Sequence, residues 1–186
     1  MKRTRVPLAA ASLLATVLCT PSAASAQEFA WFEIIAVHSG KCLDVAHANP
    51  AHGADVIQGT CRGVGATTNQ HWRFEGVAHL KGHVRVIARH SGKCLDVAHA
   101  SLKHGANVLQ GTCGGAGSTT NQFWSMRPVR AGFLQPFRLR AHHSGRCLDV
   151  ANANLAHGAD VVQATCAGAG SGNNQLWNLR QVVFPR

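Results

Sequence analysis

Alternating apolar and polar positions open three similar segments of the chain. Residues 32–36 (FEIIA), 84–88 (VRVIA) and 137–141 (FRLRA) are apolar at their first, third and fifth positions and charged at the second. A period of two places successive side chains on opposite faces of an extended strand. The pattern therefore predicts a strand with one buried and one solvent-exposed face at the start of each segment.

The rest of each segment predicts three further strands. A His-Ser-Gly turn follows the opening strand, and Cys-Leu-Asp-Val is then typical of the returning strand of a hairpin. A polar loop, a short β-branched strand (54–60 in the first segment), a glycine-rich loop and a fourth strand that starts at Asn-Gln-X-Trp complete it. Four strands in each of three segments predict an all-β chain. Because an open sheet would leave unprotected edges, we expect the units to close around a pseudo-threefold axis.

The three segments are copies of one repeat. They span about residues 31–78, 83–129 and 136–182, and fixed spacing between matching residues is typical of a repeat architecture. Residues 27–186 suit a single domain of about 160 residues. The first cysteine, second cysteine and tryptophan of the copies are Cys42, Cys61 and Trp72; Cys94, Cys113 and Trp124; and Cys147, Cys166 and Trp177.

The first 26 residues have the features of a signal peptide. Lys2, Arg3 and Arg5 precede a short apolar stretch, and Ala-Ser-Ala at 24–26 fits a cleavage site. The apolar stretch is too short for a membrane span, which needs about 20 apolar residues. We therefore expect a secreted, extracellular protein without a membrane span.

The cysteine count agrees with an oxidising compartment. Six of the seven cysteines follow the signal segment, two in each copy, and six cysteines allow about 15 pairings. If equivalent units fold alike, the self-consistent choice pairs the two cysteines within each copy, which removes most of this ambiguity. The absence of a Cys-X-X-Cys pair argues against a zinc site, so we expect structural bridges.

The chain is basic without a concentrated basic patch. Its net charge is +10, and it falls to +7 without residues 1–26, which hold three basic residues and no acidic ones. The charges are scattered, and no run of Lys or Arg alternates with aromatic residues along the chain. The balance predicts solubility and weak attraction to acidic surfaces, and no specific nucleic-acid binding.

The Cys-Leu-Asp-Val strand, the Gln before the second cysteine and the closing Gln-X-Trp resemble the ricin-type (R-type) lectin domain. All three copies carry these motifs, so the resemblance covers about residues 31–182. It implies a β-trefoil with a disulfide bond inside each repeat, and it places the three tryptophans in a shared core. We expect a stand-alone domain, because about 160 residues leave no room for a catalytic domain beside the trefoil. Core burial is also what the large apolar indole side chain favours.

The resemblance further implies one shallow sugar pocket in each repeat. These pockets would bind glycans or polysaccharides, and no cofactor is expected. An Asp after the first cysteine accepts hydrogen bonds from sugar hydroxyls, an Asn donates and accepts, and a Gln supports them. Ionised carboxylates are strong acceptors, and an amide offers both functions. The alternative is that the Asp ties down its own turn and the Gln caps a strand edge; the hydrogen-bonding capacity of Asp and Asn favours binding for these two, whereas for Gln the two roles are equally well supported. The expected binding residues are Asp44, Asn69 and Gln70; Asp96, Asn121 and Gln122; and Asp149, Asn174 and Gln175.

One feature of that family is missing. Where a stacking aromatic residue often precedes the second cysteine, this chain has Gly59, Gly111 and Ala164, and it contains no Tyr. Loop histidines are candidate substitutes because imidazole is flat, although Asn152 replaces a histidine in the third copy. The candidate auxiliary residues are His47, His52, His99, His104 and His157.

Other functions are less well supported. His47 and His52 with Asp44 could ligate a divalent ion, but no copy has a tight ligand set, so we predict no metal site. An Asp44–Asp55 glycosidase pair is disfavoured because Asn107 replaces Asp55 in the second copy, and we predict no enzymatic activity. The main alternative is a trefoil that binds a protein partner through its loops, as an inhibitor or adhesion factor, with degenerate sugar sites. The sequence does not indicate an oligomeric state.

Overall fold

The protein has an all-β fold, as the alternating pattern predicts. The computed structural model describes residues 30–63, 65, 68–114, 120–129, 136–168 and 171–183, so the predicted signal peptide at 1–26 lies outside the described residues. None of the helices in these ranges is long and apolar enough to cross a membrane. The described strands are β1 (Trp31–Ala36), β2 (Cys42–Val45), β3 (Val56–Gly59), β4 (Trp72–Gly76), β5 (Val84–Ala88), β6 (Cys94–Val97), β7 (Ala106–Gly111), β8 (Trp124–Pro128), β9 (Phe137–Ala141), β10 (Cys147–Val150), β11 (Ala159–Ala164) and β12 (Trp177–Val182).

Six of these strands form a closed ring. The strand pairs β1–β12, β4–β5 and β8–β9 join successive copies along five or six residues each. The pairs β1–β4, β5–β8 and β9–β12 close the ring within each copy. Every strand of the ring therefore has two neighbours, and this removes the free edges that an open sheet would expose.

The other six strands form three hairpins, one from each copy. β2 pairs with β3, β6 with β7, and β10 with β11, over four residue pairs each. β11 also pairs with β3 and β7, so the hairpins from different copies contact one another. The registers place Asp44 opposite Ile57, Asp96 opposite Leu109, and Asp149 opposite Val162.

The core is built from the same positions in each copy. Trp72, Trp124 and Trp177 are completely buried among aliphatic residues of all three copies. The Trp72 Nε1–H donates to the Leu43 carbonyl at 2.9 Å, and the other two indoles make the equivalent bond. The expected disulfide bonds are present as Cys42–Cys61, Cys94–Cys113 and Cys147–Cys166, each with a sequence separation of 19.

Glu33 departs from the predicted alternation. Its side chain lies on the face of β1 that the pattern assigns to solvent, yet it is only 2% exposed. The carboxylate accepts hydrogen bonds from the Arg180 Nε–H at 2.6 Å and the Gly63 N–H at 3.2 Å. Burial of a charge requires such partners. The prediction that this face is exposed to solvent was wrong at Glu33. Its partner Arg180 lies on the neighbouring strand β12, far away in sequence, so the pattern of β1 alone does not reveal it.

The Asn-Gln-X-Trp motif also differs from its predicted structure. The Asn and Gln lie in short 3-10 turns, and the fourth strand of each copy begins only at the Trp. Because they lie in this turn, the Asn and Gln are outside the paired strands, and their side-chain amides hydrogen-bond the Asp of the Cys-Leu-Asp-Val strand. The six described 3-10 turns are Ala46–Ala48, Thr68–Gln70, Ala98–Ala100, Thr120–Gln122, Ala151–Ala153 and Asn173–Gln175.

We expect the three disulfide bonds to stabilise the fold about equally. Each closes a loop of the same length, and a loop of this size contributes about 3 kcal/mol by restricting the unfolded chain. Replacing Cys94 and Cys113 together by Ala should lower the free energy of unfolding by that amount in guanidinium denaturation. The Cys42/Cys61 and Cys147/Cys166 double variants are the matched comparisons, and one bridge with a loss below about 1 kcal/mol would contradict the loop-length argument.

Candidate functional site

A buried carboxylate stands at the centre of the candidate site in each copy. Asp44 is 4% exposed, and its two oxygens accept different amide hydrogens. Asn69 Nδ2 donates to Oδ1 at 2.6 Å, and Gln70 Nε2 donates to Oδ2 at 2.6 Å. The structure brings the predicted triplet together in the other copies in the same way, as Asp96 with Asn121 and Gln122, and Asp149 with Asn174 and Gln175.

The Gln of each triplet holds the Asp in place. Gln70 is buried, and its second amide hydrogen bonds the Thr60 carbonyl at 3.0 Å. Its Oε1 accepts the Arg62 N–H at 3.0 Å. Both amide hydrogens are therefore used inside the protein, and a side-chain amide has only two. This geometry gives Gln70 the supporting role, in which it orients Asp44.

The Asn offers an acceptor and no free donor. Besides Asp44, Asn69 Nδ2 donates to the Val45 carbonyl at 3.0 Å, so both of its amide hydrogens are used. Its Oδ1 is buried and has no hydrogen-bond partner among the described residues. An unpaired buried acceptor costs free energy that an incoming donor restores. The sequence predicts that this Asn both donates hydrogen bonds to a ligand and accepts them; in the structure only its acceptor oxygen is left for a ligand.

Burial raises the pKa of all three central carboxyl groups. For Asp44, Asp96 and Asp149 the loss of hydration is the largest influence, and the hydrogen bonds from the adjacent Gln and Asn partly offset it. The charge of Arg62 also favours the ionised form of Asp44. Each carboxylate is therefore a partly dehydrated acceptor whose charge is balanced by neighbouring dipoles.

A histidine from another copy completes each site. His157 of the third copy lines the cavity that contains Asp44, and its Nδ1 accepts the Thr60 N–H at 3.1 Å. Since a backbone N–H can only donate, Nδ1 of a neutral His157 is the acceptor, and its proton lies on Nε2. His52 accepts the Thr112 N–H and His104 accepts the Thr165 N–H in the same way. Copy one therefore contributes a histidine to the site of copy two, copy two to copy three, and copy three to copy one.

A buried Gln positions the loop that carries each of these histidines. Gln58 of the first copy donates to the Asn154 and Ala156 carbonyls of the third at 2.7 and 2.8 Å. Its Oε1 accepts the Ser39 hydroxyl at 2.7 Å, which satisfies the whole amide. His157 follows Ala156 directly and is thereby fixed over the neighbouring cavity. Gln110 and Gln163 hold the loops before His52 and His104.

The second set of predicted histidines occupies a strained turn. His47 and His99 have φ angles of 58° and 55°, and Asn152 has 56° at the same position of the third copy. Non-glycine residues rarely adopt the left-handed region, where Asn and His are enriched. Backbone conformation thus explains why these two residue types alternate here. His47 still lines the cavity of Asp44, and Asn152 lines that of Asp149.

The structure gives a physical reason for the missing aromatic residue. A Cβ added to Gly59 would lie 2.2 Å from Asp44 Oδ2, and one added to Gly111 would lie 2.3 Å from Asp96 Oδ2. No side chain fits there unless the carboxylate moves. The third copy does carry a Cβ, on Ala164, and its Asn174–Asp149 bond is 2.8 Å long against 2.6 Å for Asn69–Asp44.

Aliphatic side chains supply the apolar wall instead. Ile57 lies opposite Asp44 in the hairpin and lines its cavity, and Val162 does so in the third copy. Sequence reasoning missed these residues, because it paired the Cys-Leu-Asp-Val strand with the opening strand, whereas the structure pairs it over four residues with the third strand of the copy. It also missed Arg62, which lines the first cavity. The two cavities have volumes of about 410 and 530 Å³, in the range of small-ligand sites.

Two alternative sites are not assembled. His52, a candidate metal ligand with Asp44, instead bonds Thr112 of the second copy, and Asp55 accepts from Asn107 Nδ2 at 2.7 Å. Within the described residues, one group of three potential metal ligands lies close together, Glu33 with Cys42 and Cys61. Both of its cysteines are disulfide-bonded and are not free to ligate.

Comparison with known proteins identifies one family. A family model described as ricin-type beta-trefoil lectin domain-like matches residues 22–111, 68–164 and 120–183, which together span most of the chain. No curated protein sequence matches the chain significantly.

Solved structures show the same fold. ThreeFoil, a designed threefold-symmetric protein, is 41% identical over 80% of this chain and 96% of its own, with a TM-score of 0.71. An exo-β-1,3-galactanase from Clostridium thermocellum is 26% identical over 84% of this chain and 31% of its own, with a TM-score of 0.72. A ricin B-like lectin of Macrolepiota procera, in complex with lactose, is 17% identical over 80% of this chain and 93% of its own, with a TM-score of 0.63. This last similarity shows the fold alone.

The histidine contacts between copies make a testable prediction. We expect neutral His52, His104 and His157 to carry their proton on Nε2, because Nδ1 accepts a backbone N–H in each. Long-range ¹H–¹⁵N correlation spectra distinguish the two tautomers directly. His47 and His99 serve as internal comparisons, since no such bond holds their Nδ1 in the described structure. Protonated Nδ1 atoms in the first three residues would contradict the contact between copies.

Proposed function

Since the chain belongs to the ricin-type β-trefoil lectin domain-like family, we propose that it is a carbohydrate-binding protein with three pockets, centred on Asp44, Asp96 and Asp149. In this proposal the three copies form one pseudo-threefold β-trefoil. The observation that carries it is the buried Asp–Asn–Gln triplet, which recurs with nearly equal distances in all three copies.

The groups around Asp44 match the surface of a pyranose. Sugar hydroxyls can donate to the carboxylate, whose oxygens keep acceptor capacity beyond the bonds from Asn69 and Gln70. The Asn69 Oδ1 is a second acceptor, and the Nε2–H of His157 is a donor. Ile57 offers an apolar contact for the C–H face of the ring. The pocket thus pairs adjacent hydroxyls with acceptors and one donor, without an aromatic platform.

Three such pockets on one rigid body suit a multivalent glycan. A single shallow pocket is expected to be weak, and a millimolar Kd corresponds to about 4 kcal/mol. Linked sites gain affinity because the later binding events become intramolecular. We further propose that residues 1–26 direct secretion, so that the ligand is a glycan or polysaccharide outside the cell.

Two competing functions gain no support from the geometry. The carboxylates of Asp44 and Asp55 are bonded to different amides in different copies, so they do not form a paired acid and base. We therefore propose a binding protein rather than an enzyme, although one structural relative is a galactanase. Binding of a protein partner through the loops stays a prediction that no described contact favours.

Replacing the three central Asp residues by Ala should abolish glycan binding. Each substitution removes a charged acceptor, and hydrogen bonds to charged groups contribute about 1.5–3 kcal/mol, so each pocket should lose at least tenfold in affinity. The measurement is binding of the oxidised protein to immobilised glycans and polysaccharides, for the wild type, the single variants and the triple variant.

The matched control is Asp55→Ala, which removes an exposed carboxylate outside the triplets. It should bind glycans like the wild type. Near-ultraviolet circular dichroism of the buried tryptophans checks that all variants fold. Glycan binding that survives in a folded triple variant would place the site elsewhere, and the absence of any glycan ligand for the wild type would overturn the proposed function.

The raised pKa of the three Asp residues predicts an acid-sensitive affinity. A ligand that donates to a carboxylate favours its ionised form, so binding should weaken as the pH falls and should do so above the usual Asp pKa of about 3.9. Because the folded pKa lies above the unfolded one, protonation of these groups favours the folded state. This stabilising contribution is present at low pH and is lost as the pH rises through the folded pKa.

Titration calorimetry between about pH 7 and pH 3 measures the profile. Tryptophan circular dichroism over the same interval separates loss of binding from unfolding. An affinity that stays constant down to the usual pKa of Asp, in folded protein, would contradict a direct role for the buried carboxylates.

A further inference from the structure

Arg62 puts a positive charge in the lining of the first pocket, at a position where the sequences of the other two copies have no cation. Arg62 directly follows the second cysteine and lines the cavity of Asp44. The residues that directly follow the second cysteine of the other copies are Gly114 and Ala167. The repeat therefore does not need a cation at this position, and Arg62 is a feature of one pocket.

Arg62 is positioned beside the central carboxylate. Its backbone N–H donates to Oε1 of Gln70 at 3.0 Å, and the same Gln70 bonds Asp44 at 2.6 Å. The guanidinium is exposed, and no hydrogen bond or ion pair of its side chain is found within the described parts of the chain. The main chain is thus anchored at the pocket, while the charged group stays available at its rim.

We propose that Arg62 makes the first pocket selective for saccharides that carry a carboxylate, such as uronic acids. This inference rests on the proposed carbohydrate-binding function and names the ligand class of one of its three pockets. The planar guanidinium presents paired N–H donors that match a carboxylate in a bidentate geometry. A neutral sugar has no group that pairs with it in this way.

The surroundings of Arg62 support a negatively charged ligand. The first cavity is lined by Arg62, by His47 and by His157, whose Nε2–H is a further donor for a ligand carboxylate. In the described lining of the third cavity, Asn152 takes the place of His47, and His104 is the one imidazole. The carboxylate of Asp44 is buried and bonded to two amides, whereas Arg62 is the exposed charged residue of this pocket.

The test compares acidic and neutral forms of one sugar in each pocket. Methyl β-D-glucuronide is titrated against methyl β-D-glucoside, and methyl β-D-galacturonide against methyl β-D-galactoside, into the oxidised ¹⁵N-labelled protein at low salt. The backbone amides of Thr60 and Arg62 report on the first pocket, and those of Thr165 and Ala167 report on the third. An exposed guanidinium–carboxylate pair should give a preference of up to about fivefold for the uronide in the first pocket.

Matched variants isolate the charge. Arg62→Gln removes the charge, keeps a polar side chain and should abolish the preference for the uronide over its neutral counterpart in the first pocket. Ala167→Arg should create a preference in the third pocket, where the equivalent position is otherwise neutral. Added sodium chloride should reduce the preference, because an exposed ion pair is screened.

The outcomes separate this inference from the function on which it rests. Neutral sugars that bind with the same affinity as uronides in the first pocket, or a preference unchanged in Arg62→Gln, would overturn the role of Arg62 alone. If neither neutral nor acidic sugars bind any pocket, the carbohydrate-binding function itself is overturned. If the wild type prefers uronides equally in the first and third pockets, the preference comes from the overall basic charge of the protein. This result would also overturn the role of Arg62.

Discussion

The fold and the site both depend on a buried glutamine that joins each copy of the repeat to its neighbour. Gln58 has no exposed surface, and its amide makes three hydrogen bonds, two of them to the backbone of the third copy. An unpaired buried amide would cost about 1–3 kcal/mol for each lost partner. Because Gln110 and Gln163 make the same bonds, the loops of all three copies are held in one cyclic arrangement.

This cyclic arrangement means that no pocket belongs to a single copy. Asp44 and Asn69 provide acceptors from the first copy, and His157 adds a donor from the third. One repeat alone would keep its carboxylate and lose its histidine. The three units therefore depend on one another for the residues of the candidate sites as well as for the closed ring of strands, which removes the edges that a single unit would expose.

Local patterns predict part of this structure well. Period-two alternation locates the opening strands, and equal cysteine spacing leads to the disulfide pairing, because both depend on residues close in sequence or on equivalence between copies. The burial of Glu33 and the transfer of His52 to the second copy could not be predicted, since both depend on contacts between distant segments. The Asp–Asn–Gln grouping follows from the family resemblance, whereas the saturation of Gln70 requires atomic positions.

Comparison of the three copies separates the residues that the scaffold requires from the residues that could determine ligand selectivity. Asp, Asn and Gln are the same in every copy, and each is buried or half-buried in a hydrogen-bonded network that tolerates little change. The rim differs: Arg62 against Gly114 and Ala167, and His47 against Asn152. A rim side chain can change without unpairing a buried group, so selectivity can diverge between pockets while the acceptors stay fixed. For the proposed carbohydrate-binding function, pockets with a common Asp–Asn–Gln floor and unequal rims suit a heterogeneous polymer, in which acidic and neutral sugars alternate, better than a glycan with identical terminal sugars.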